Sequence, residues 1–105
     1  MGSLQEQYKP GDFVICDQII DRTRSRDNSY FGDGVVGHVA FDAPYCPGMR
    51  STIIDALKPR ELSVHPKGTL VCMEGPLFST RAESFLYRQW QADPVSYTHL
   101  RAHET

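Results

Sequence analysis

The sequence contains little cysteine, and its cysteines are poorly placed for a metal site. The three residues, Cys16, Cys46 and Cys72, are odd in number, and none belongs to a Cys-x-x-Cys pair of the kind that zinc sites commonly use. Cys16 and Cys72 stand inside apolar runs and are expected to be buried small hydrophobic residues. Cys46 lies in a loop without a nearby histidine, which gives little indication of catalysis. We therefore predict no metal site.

Long apolar runs and an excess of one charge are also absent. No run approaches the roughly 20 apolar residues that span a bilayer, and the first residues lack the basic-then-apolar pattern of a signal peptide. The formal net charge of −2 offers no attraction to nucleic acid or to an anionic membrane. With 105 residues, 40% of them hydrophobic and 23% charged, the composition is that of an ordinary soluble protein. We expect a cytoplasmic protein without nucleic-acid or membrane partners.

Three segments predict strands. Residues 13–20 form a nearly continuous β-branched run, typical of a strand covered on both faces, and residues 68–74 predict a second strand. Such strands need helices on both sides, and the chain offers few, which indicates that part of the domain is missing. A shorter strand is predicted over residues 34–41, where the pattern alone favours a half-buried strand histidine for His38.

A long polar loop separates the first of these strands from the short one. It carries Arg22, Arg24 and Arg26. Long loops in compact domains are commonly functional or disordered. The arginines could meet an anion, but a solvated loop is the favoured interpretation.

Two helices are predicted. Pro47 opens the first, which has an apolar stripe, and Pro59 ends or kinks it. Thr80 and Glu83 form a Thr-x-x-Glu capping box at the start of the second. On the second helix, Arg81, Ser84 and Arg88 are predicted to face outward. Its predicted inner face consists of Ala82, Phe85, Leu86, Gln89 and Trp90.

The loop between the second long strand and the second helix is the candidate ligand loop. In open α/β sheets, ligands bind beyond the carboxyl ends of the strands. Residues 74–80 combine a glycine, a carboxylate, an aromatic ring and two hydroxyl groups. Phe78 could stack on a flat ligand such as a purine, or it could pack onto the helix as a hydrophobic staple. The pattern favours neither alternative.

Residues 74–84, Glu-Gly-Pro-Leu-Phe-Ser-Thr-Arg-Ala-Glu-Ser, resemble the base-binding motif of the trimeric purine nucleoside phosphorylase superfamily. The branch they resemble is that of the S-methyl-5′-thioadenosine phosphorylases. Further segments, nearer the N-terminus, also resemble this family in its order and spacing. The similarity runs from Gly2 to about Asp93. These segments are Gly2-Ser3-Leu4, Pro10-Gly11-Asp12, Asp17-Gln18, Ile20-Asp21-Arg22-Thr23 and Pro44-Tyr45-Cys46-Pro47.

The resemblance implies a fold and a reaction. The fold would be α/β, part of the phosphorylase/hydrolase-like three-layer architecture with a mixed sheet, in a homotrimer. The parent enzyme would be a pentosyltransferase of purine and methionine salvage. It would cleave methylthioadenosine with inorganic phosphate, without metal or organic cofactor. Methylthioinosine or another purine nucleoside is the alternative substrate, and a non-catalytic nucleoside-binding or interaction module is the alternative from another class.

The resemblance also implies roles for four substrate-binding residues. Phe78 would contact the purine ring, and Glu74 belongs to the same motif. Ser79 stands where the branches acting on 6-oxopurines have an acidic residue, so a serine favours a 6-amino purine. His38 matches a histidine that reaches across the trimer interface toward the 5′-methylthio group. No catalytic residue is assigned, because the family's phosphate ligands and leaving-group carboxylates match no position of this chain.

The two ends of the chain complete these expectations. Residues 1–93 are interpreted as a partial nucleoside phosphorylase domain that is inactive alone. Residues 94–105 resemble the translation of a transposase-based sequencing adapter, so we expect them not to belong to the native protein.

Overall fold

The protein is described by a computed structural model that covers residues 2–97. Two α-helices lie within this range, α1 (Pro47–Leu57) and α2 (Arg81–Gln89), and a 3₁₀ turn (Lys58–Arg60) continues α1. The strands of the described range are β1 (Gly2–Ser3), β2 (Phe13–Val14), β3 (Gln18–Arg22), β4 (Val64–His65), β5 (Thr69–Met73) and β6 (Pro94–Tyr97).

The strands form a mixed sheet and a small second sheet. The larger sheet has the order β1-β6-β5-β3, in which β6, β5 and β3 are parallel and β1 is antiparallel to β6. The smaller sheet pairs β2 with β4 in parallel. The predicted α/β class with a mixed sheet is thereby confirmed. Because β3 and β5 are parallel neighbours, their carboxyl ends lie at the same edge, with Arg22 opposite Met73.

The run predicted as one strand over residues 13–20 is divided between the two sheets, so that prediction is wrong. The guanidinium of Arg50, on α1, donates to the backbone oxygens of Ile15 at 3.2 Å and Cys16 at 2.9 Å. The Asp17 N–H donates to the Gly68 oxygen at 3.0 Å. These bonds give partners to backbone groups at the break between β2 and β3.

The strand predicted over residues 34–41 is also wrong, because this segment is irregular. Within residues 2–97 no strand lies beside it to accept or donate backbone hydrogen bonds. Its apolar side chains remain open to solvent, with Val36 77% and Val39 75% exposed. An apolar pattern alone does not form a strand when no sheet edge is available.

Helix α1 and the second long strand follow the sequence closely. Pro47 occupies the first turn of α1, where its missing N–H would have had no partner in the helix, as predicted. Pro59 stands in the 3₁₀ turn that ends the helix. The strand predicted over residues 68–74 is confirmed as β5.

The core is small and lies between α2 and the larger sheet. Leu4 and Ile20 pack against it. Its buried hydrophobic residues come from β5, from β6 and from the region around α2, and they are Val71, Met73, Tyr87, Ala92 and Val95.

The inward face of α2 differs from the predicted one. Tyr87 is 1% exposed and Ser84 is half-buried, whereas Phe85 is 55% exposed and Leu86 39% exposed. The five residues predicted to face inward are all exposed. The helix turns Tyr87 toward the sheet because that ring fills the space above the core strands. Tyr87 belongs to the core together with Val71, Met73, Ala92 and Val95.

Strand β6 begins directly after residue 93, where a domain boundary was predicted. Residues 94–97 lie inside the larger sheet, between β1 and β5, and Val95 is only 4% exposed. Residues 98–105, where most of the predicted adapter translation falls, lie outside the described residues. The origin of residues 94–105 is a question of genomic sequence and stays a prediction.

Candidate functional site

The loop after β5 leaves the sheet through a turn that glycine permits. The Gly75–Pro76 peptide bond is cis, and Gly75 has a φ of 72°, in the left-handed region where side chains with a Cβ are strained. The loop then passes through Leu77 and Phe78 and reaches α2 at Arg81. This path carries Phe78 past the carboxyl end of β5, where ligands of open α/β sheets bind.

The predicted capping box at the start of α2 is confirmed. The Thr80 hydroxyl accepts a hydrogen bond from the Glu83 N–H at 3.1 Å, and the Glu83 carboxylate accepts one from the Thr80 N–H at 2.8 Å. These bonds hold the pKa of Glu83 below its usual value, chiefly through the Thr80 N–H. The box fixes the point at which the loop becomes helix, and with it the position of Phe78 two residues earlier.

A pocket of about 180 Å³ lies beside this loop. Met73 and Tyr87, both buried, form its apolar part. Two chain segments contribute the remaining residues: the end of β3 with the loop after it, and the loop between β5 and α2 with the first turn of α2. These remaining lining residues are Arg22, Arg24, Glu74, Gly75, Leu77, Phe78, Thr80 and Glu83.

Phe78 lines this pocket and is 78% exposed. A hydrophobic staple would be packed onto the helix, so the staple interpretation of Phe78 is not supported. An accessible ring at the rim of a pocket is available to stack on a flat ligand. The contact with a purine itself stays a prediction.

Glu74 also lines the pocket, and its carboxylate contacts the neighbouring loop. The Glu74 Oε2 accepts hydrogen bonds from the backbone N–H groups of Arg24 at 2.6 Å and Ser25 at 3.4 Å. Glu74 therefore connects the loops that follow β3 and β5. Its predicted role in substrate binding stays a prediction.

Ser79 and His38 are not among the residues that line the pocket. Ser79 is half-buried, and its hydroxyl oxygen lies 2.7 Å from that of Ser84 on α2. His38 lies in the exposed irregular segment, one residue after Gly37, over which the ring of Phe31 packs closely. The structure thus brings Glu74 and Phe78 together, with Ser79 adjacent in the chain. The roles predicted for Ser79 and His38 stay predictions.

Sequence reasoning missed four residues of the pocket. Arg22 and Arg24, interpreted as part of a solvated loop, line it, and the Arg22 Cζ lies 6.0 Å from the centre of the Trp90 ring. Met73 and Tyr87 supply the apolar part. Pairing the two long strands in parallel would have placed Arg22 near Met73, whereas the rotation of α2 that buries Tyr87 has no local signal.

A second polar cluster lies away from this loop. The His65 Nε2 is 2.9 Å from the Asp12 Oδ2, and the rings of Tyr8 and His65 pack edge to face with centres 4.4 Å apart. The Lys9 N–H, followed by the His65 ring, lowers the pKa of Asp12 to about 2. These contacts fix the turn before β2 onto β4, beside a cavity of about 410 Å³ that Tyr8 and Asp12 line. No pattern in the sequence pointed to this cluster.

The described residues contain neither a metal-binding cluster nor a helix that could span a membrane. Residues 2–97 hold no group of three or more His, Cys, Asp or Glu side chains arranged for a metal ion. Cys16 and Cys72 are half-buried rather than fully buried, and Cys46 is exposed. Neither described helix has the length and hydropathy needed to cross a membrane.

Two known proteins of similar sequence carry the same name. An S-methyl-5′-thioadenosine phosphorylase of Thermosynechococcus vestitus is 50% identical over 103 residues, which cover 95% of this chain and 36% of that protein. The enzyme of the same name from Thermococcus kodakarensis is 52% identical over 90 residues, covering 86% of this chain and 35% of that protein. The chain thus spans little more than a third of the length of these relatives.

Solved structures agree with the sequence relatives. A methylthioadenosine phosphorylase from Schistosoma mansoni in complex with adenine superposes with a TM-score of 0.86 at 32% identity, covering 94% of this chain and 43% of that one. The family model of the phosphorylase superfamily matches residues 1–96. The strand–loop–helix corner at the carboxyl edge of the mixed sheet agrees with this match. Because the match extends over nearly the whole chain, the chain belongs to the phosphorylase superfamily.

Proposed function

We propose that this chain supplies the purine-facing wall of an S-methyl-5′-thioadenosine phosphorylase. The observation that carries the proposal is the placement of Phe78: an exposed aromatic ring at the rim of a pocket, on a loop held by the Thr80–Glu83 capping box. The names of the relatives supply the substrate class. The active enzyme contains, besides this chain, the further length that those relatives have.

In the proposed reaction, a phosphate oxygen forms a bond to the anomeric carbon of the ribose while the bond to the purine nitrogen breaks. The electron pair of the breaking bond goes to adenine, which takes up a proton, and methylthioribose 1-phosphate remains. Positive charge develops on the sugar in the transition state, so catalysis depends on positioning and on stabilising the departing base. The part of this chain is to position the base.

Three of the four predicted site residues have a role in this proposal. Phe78 stacks on or flanks the purine ring. Ser79 leaves room for a 6-amino group, because its side chain is small and carries no carboxylate. His38 approaches the 5′-methylthio group from a neighbouring subunit of a homotrimer. The exposed apolar segment around His38, with Val36 and Val39 uncovered, is compatible with burial in such an interface.

The proposal includes the remaining expectations of the sequence. Inorganic phosphate is the co-substrate, and no metal or organic cofactor takes part. The enzyme is cytoplasmic and acts in purine and methionine salvage.

The test is phosphate-dependent release of adenine by the full-length protein, expressed from a gene completed with its genomic flanks. Methylthioadenosine is expected to be cleaved, and omission of phosphate to abolish the release. Phe78→Ala is expected to raise the KM for methylthioadenosine roughly tenfold, as loss of one stacking contact with a base would. Phe85→Ala, which removes a ring that is 55% exposed on α2 and is not among the residues that line this pocket, is the matched control and is expected to change the KM less than threefold.

Two outcomes would contradict the proposal. Release of the base from methylthioinosine or inosine, without release from methylthioadenosine, would show that methylthioadenosine is not the substrate. Binding of nucleoside without any phosphorolysis by the full-length protein would favour the non-catalytic module.

A further inference from the structure

We propose that Glu74 is a positioning residue, which holds the arginine-bearing loop after β3 beside the pocket instead of contacting the ligand itself. This loop, residues 23–26, is called the arginine loop below. The proposal rests on the proposed function for the identity of the ligand, whereas the contact between Glu74 and the loop is independent of it.

The contact joins two segments that are distant in the sequence. Glu74 directly follows β5, and its Oε2 accepts hydrogen bonds from the backbone N–H groups of Arg24 at 2.6 Å and Ser25 at 3.4 Å. An ionised oxygen that faces two consecutive backbone N–H groups makes charge-assisted bonds, which are stronger than bonds between neutral groups. The carboxylate is therefore placed to hold the loop backbone.

The sheet explains why these two segments meet. Because β3 and β5 are parallel neighbours, with Arg22 opposite Met73, both chains leave the sheet side by side at the same edge. The chain after Arg22 has no regular secondary structure until α1. A contact at Arg24 and Ser25 therefore acts at the point where the arginine loop would otherwise move away from the sheet.

The held loop forms one side of the pocket. Arg24 of this loop lines it, together with Arg22 at the end of β3 and with the segment that carries Phe78. The Arg22 guanidinium lies 6.0 Å from the centre of the Trp90 ring, so the end of β3, directly before the arginine loop, is near the residue that caps α2. Glu74 thus determines whether Arg24 remains at the rim of the pocket. Its Oε2 accepts hydrogen bonds from the loop backbone, which assigns this oxygen to the loop and not to the ligand.

Trypsin cleavage of the full-length protein without ligand tests this role directly, because the peptide bond after Arg24 lies inside the arginine loop. Cleavage of a loop follows the population of its open form when opening is fast. Glu74→Ala removes both charge-assisted hydrogen bonds and is expected to accelerate cleavage after Arg24 roughly tenfold. Asp55→Ala, which removes one exposed carboxylate from α1, is the matched control and is expected to leave the rate unchanged.

A cleavage rate unchanged in Glu74→Ala would overturn the proposal. Equal acceleration in Asp55→Ala would overturn it as well, because the effect would then reflect general opening of the fold. If Glu74→Ala fails to fold, Glu74→Gln decides. It keeps an oxygen acceptor but no charge, so the Arg24 amide is expected to exchange its hydrogen roughly threefold faster than in the wild type, and unchanged exchange would contradict the role.

The proteolysis and exchange results do not depend on catalysis, so failure of the proposed function leaves them interpretable. In an active enzyme, Glu74→Gln is expected to raise the KM for methylthioadenosine in parallel with faster cleavage after Arg24 in the free protein. A raised KM without faster cleavage would instead assign Glu74 to direct contact with the nucleoside, and would overturn the positioning role.

Discussion

The hydroxyl oxygens of Ser79 and Ser84 lie 2.7 Å apart. Ser79, which is expected beside the purine, is therefore hydrogen-bonded to the first turn of α2. Ser79 immediately follows Phe78, and the bond fixes the loop just before the helix cap. A small side chain held against the helix leaves the space in front of it open. This arrangement is compatible with a base that carries an amino group at that position.

Ser79→Glu is expected to raise the KM for methylthioadenosine about 10- to 100-fold in the full-length enzyme. It places a carboxylate where a 6-amino purine requires open space, and a polar mismatch of this kind costs about 1–3 kcal/mol. Steady-state kinetics with methylthioadenosine and methylthioinosine measure the change. Ser84→Ala breaks the same hydroxyl contact without adding charge and is the control, with an expected change below threefold. Unchanged kinetics in Ser79→Glu would mean that residue 79 is not near the base.

Thr80→Ala is expected to reduce the free energy of unfolding by about 1 kcal/mol, as loss of an N-cap side chain does. The change leaves the Glu83 N–H without its acceptor at the start of α2. Urea titration followed by circular dichroism measures it. Thr80→Ser retains a capping hydroxyl, and a loss in Thr80→Ser equal to that in Thr80→Ala would show that the methyl group, rather than the cap, is responsible.

Tyr87→Ala is expected to reduce the free energy of unfolding by about 3–5 kcal/mol, because it empties the largest buried side-chain site of the core. Phe85→Ala, two residues earlier on the same helix, removes a ring that is 55% exposed and is expected to cost about 1 kcal/mol or less. Urea titrations of both variants compare the two faces of α2. Equal losses would contradict the orientation of α2 described above.

The hydrogen bonds of the Asp12 carboxylate with the Lys9 N–H and the His65 ring are expected to make stability depend on pH. The pKa of Asp12 is lowered from 3.8 to about 2 in the folded protein, so the folded state favours the ionised carboxylate. This contribution is fully present above the unfolded pKa of 3.8 and is lost as the pH falls toward about 2. Asp12→Asn should therefore lower the urea midpoint at pH 6, with the difference from wild type shrinking between about pH 4 and pH 2. A difference that is constant across this range would contradict the role of the carboxylate charge.

Local sequence signals predicted the parts of the fold that depend on near neighbours. Pro47 marks a helix start through its fixed φ and missing N–H, and the Thr80–Glu83 pair marks one through hydrogen bonds within one turn; both were predicted correctly. The second long strand was also predicted, because its apolar run coincides with a central strand of the sheet. Residues 34–41 have the same kind of pattern but no neighbouring strand, so the pattern misled.

The candidate site divides in the same way. The motif of residues 74–84 predicted a candidate ligand loop that carries Phe78, and this loop lines a pocket. The opposite side of the pocket, with Arg22 and Arg24, depends on the parallel pairing of β3 with β5, which joins segments about 50 residues apart. Such a pairing has no signature within either segment, so the arginines were interpreted as solvated.

The sequence by itself determined the family, the helix ends, the strand β5 and the loop that carries Phe78, since each depends on residues close together in the chain. The tertiary structure alone decided that the first apolar run divides at Asp17, that α2 buries Tyr87, and that Glu74 holds the backbone at Arg24. The physical reason is that these features depend on long-range hydrogen bonds and on the shape of the space above the sheet. Neither exists until the distant segments have been brought together.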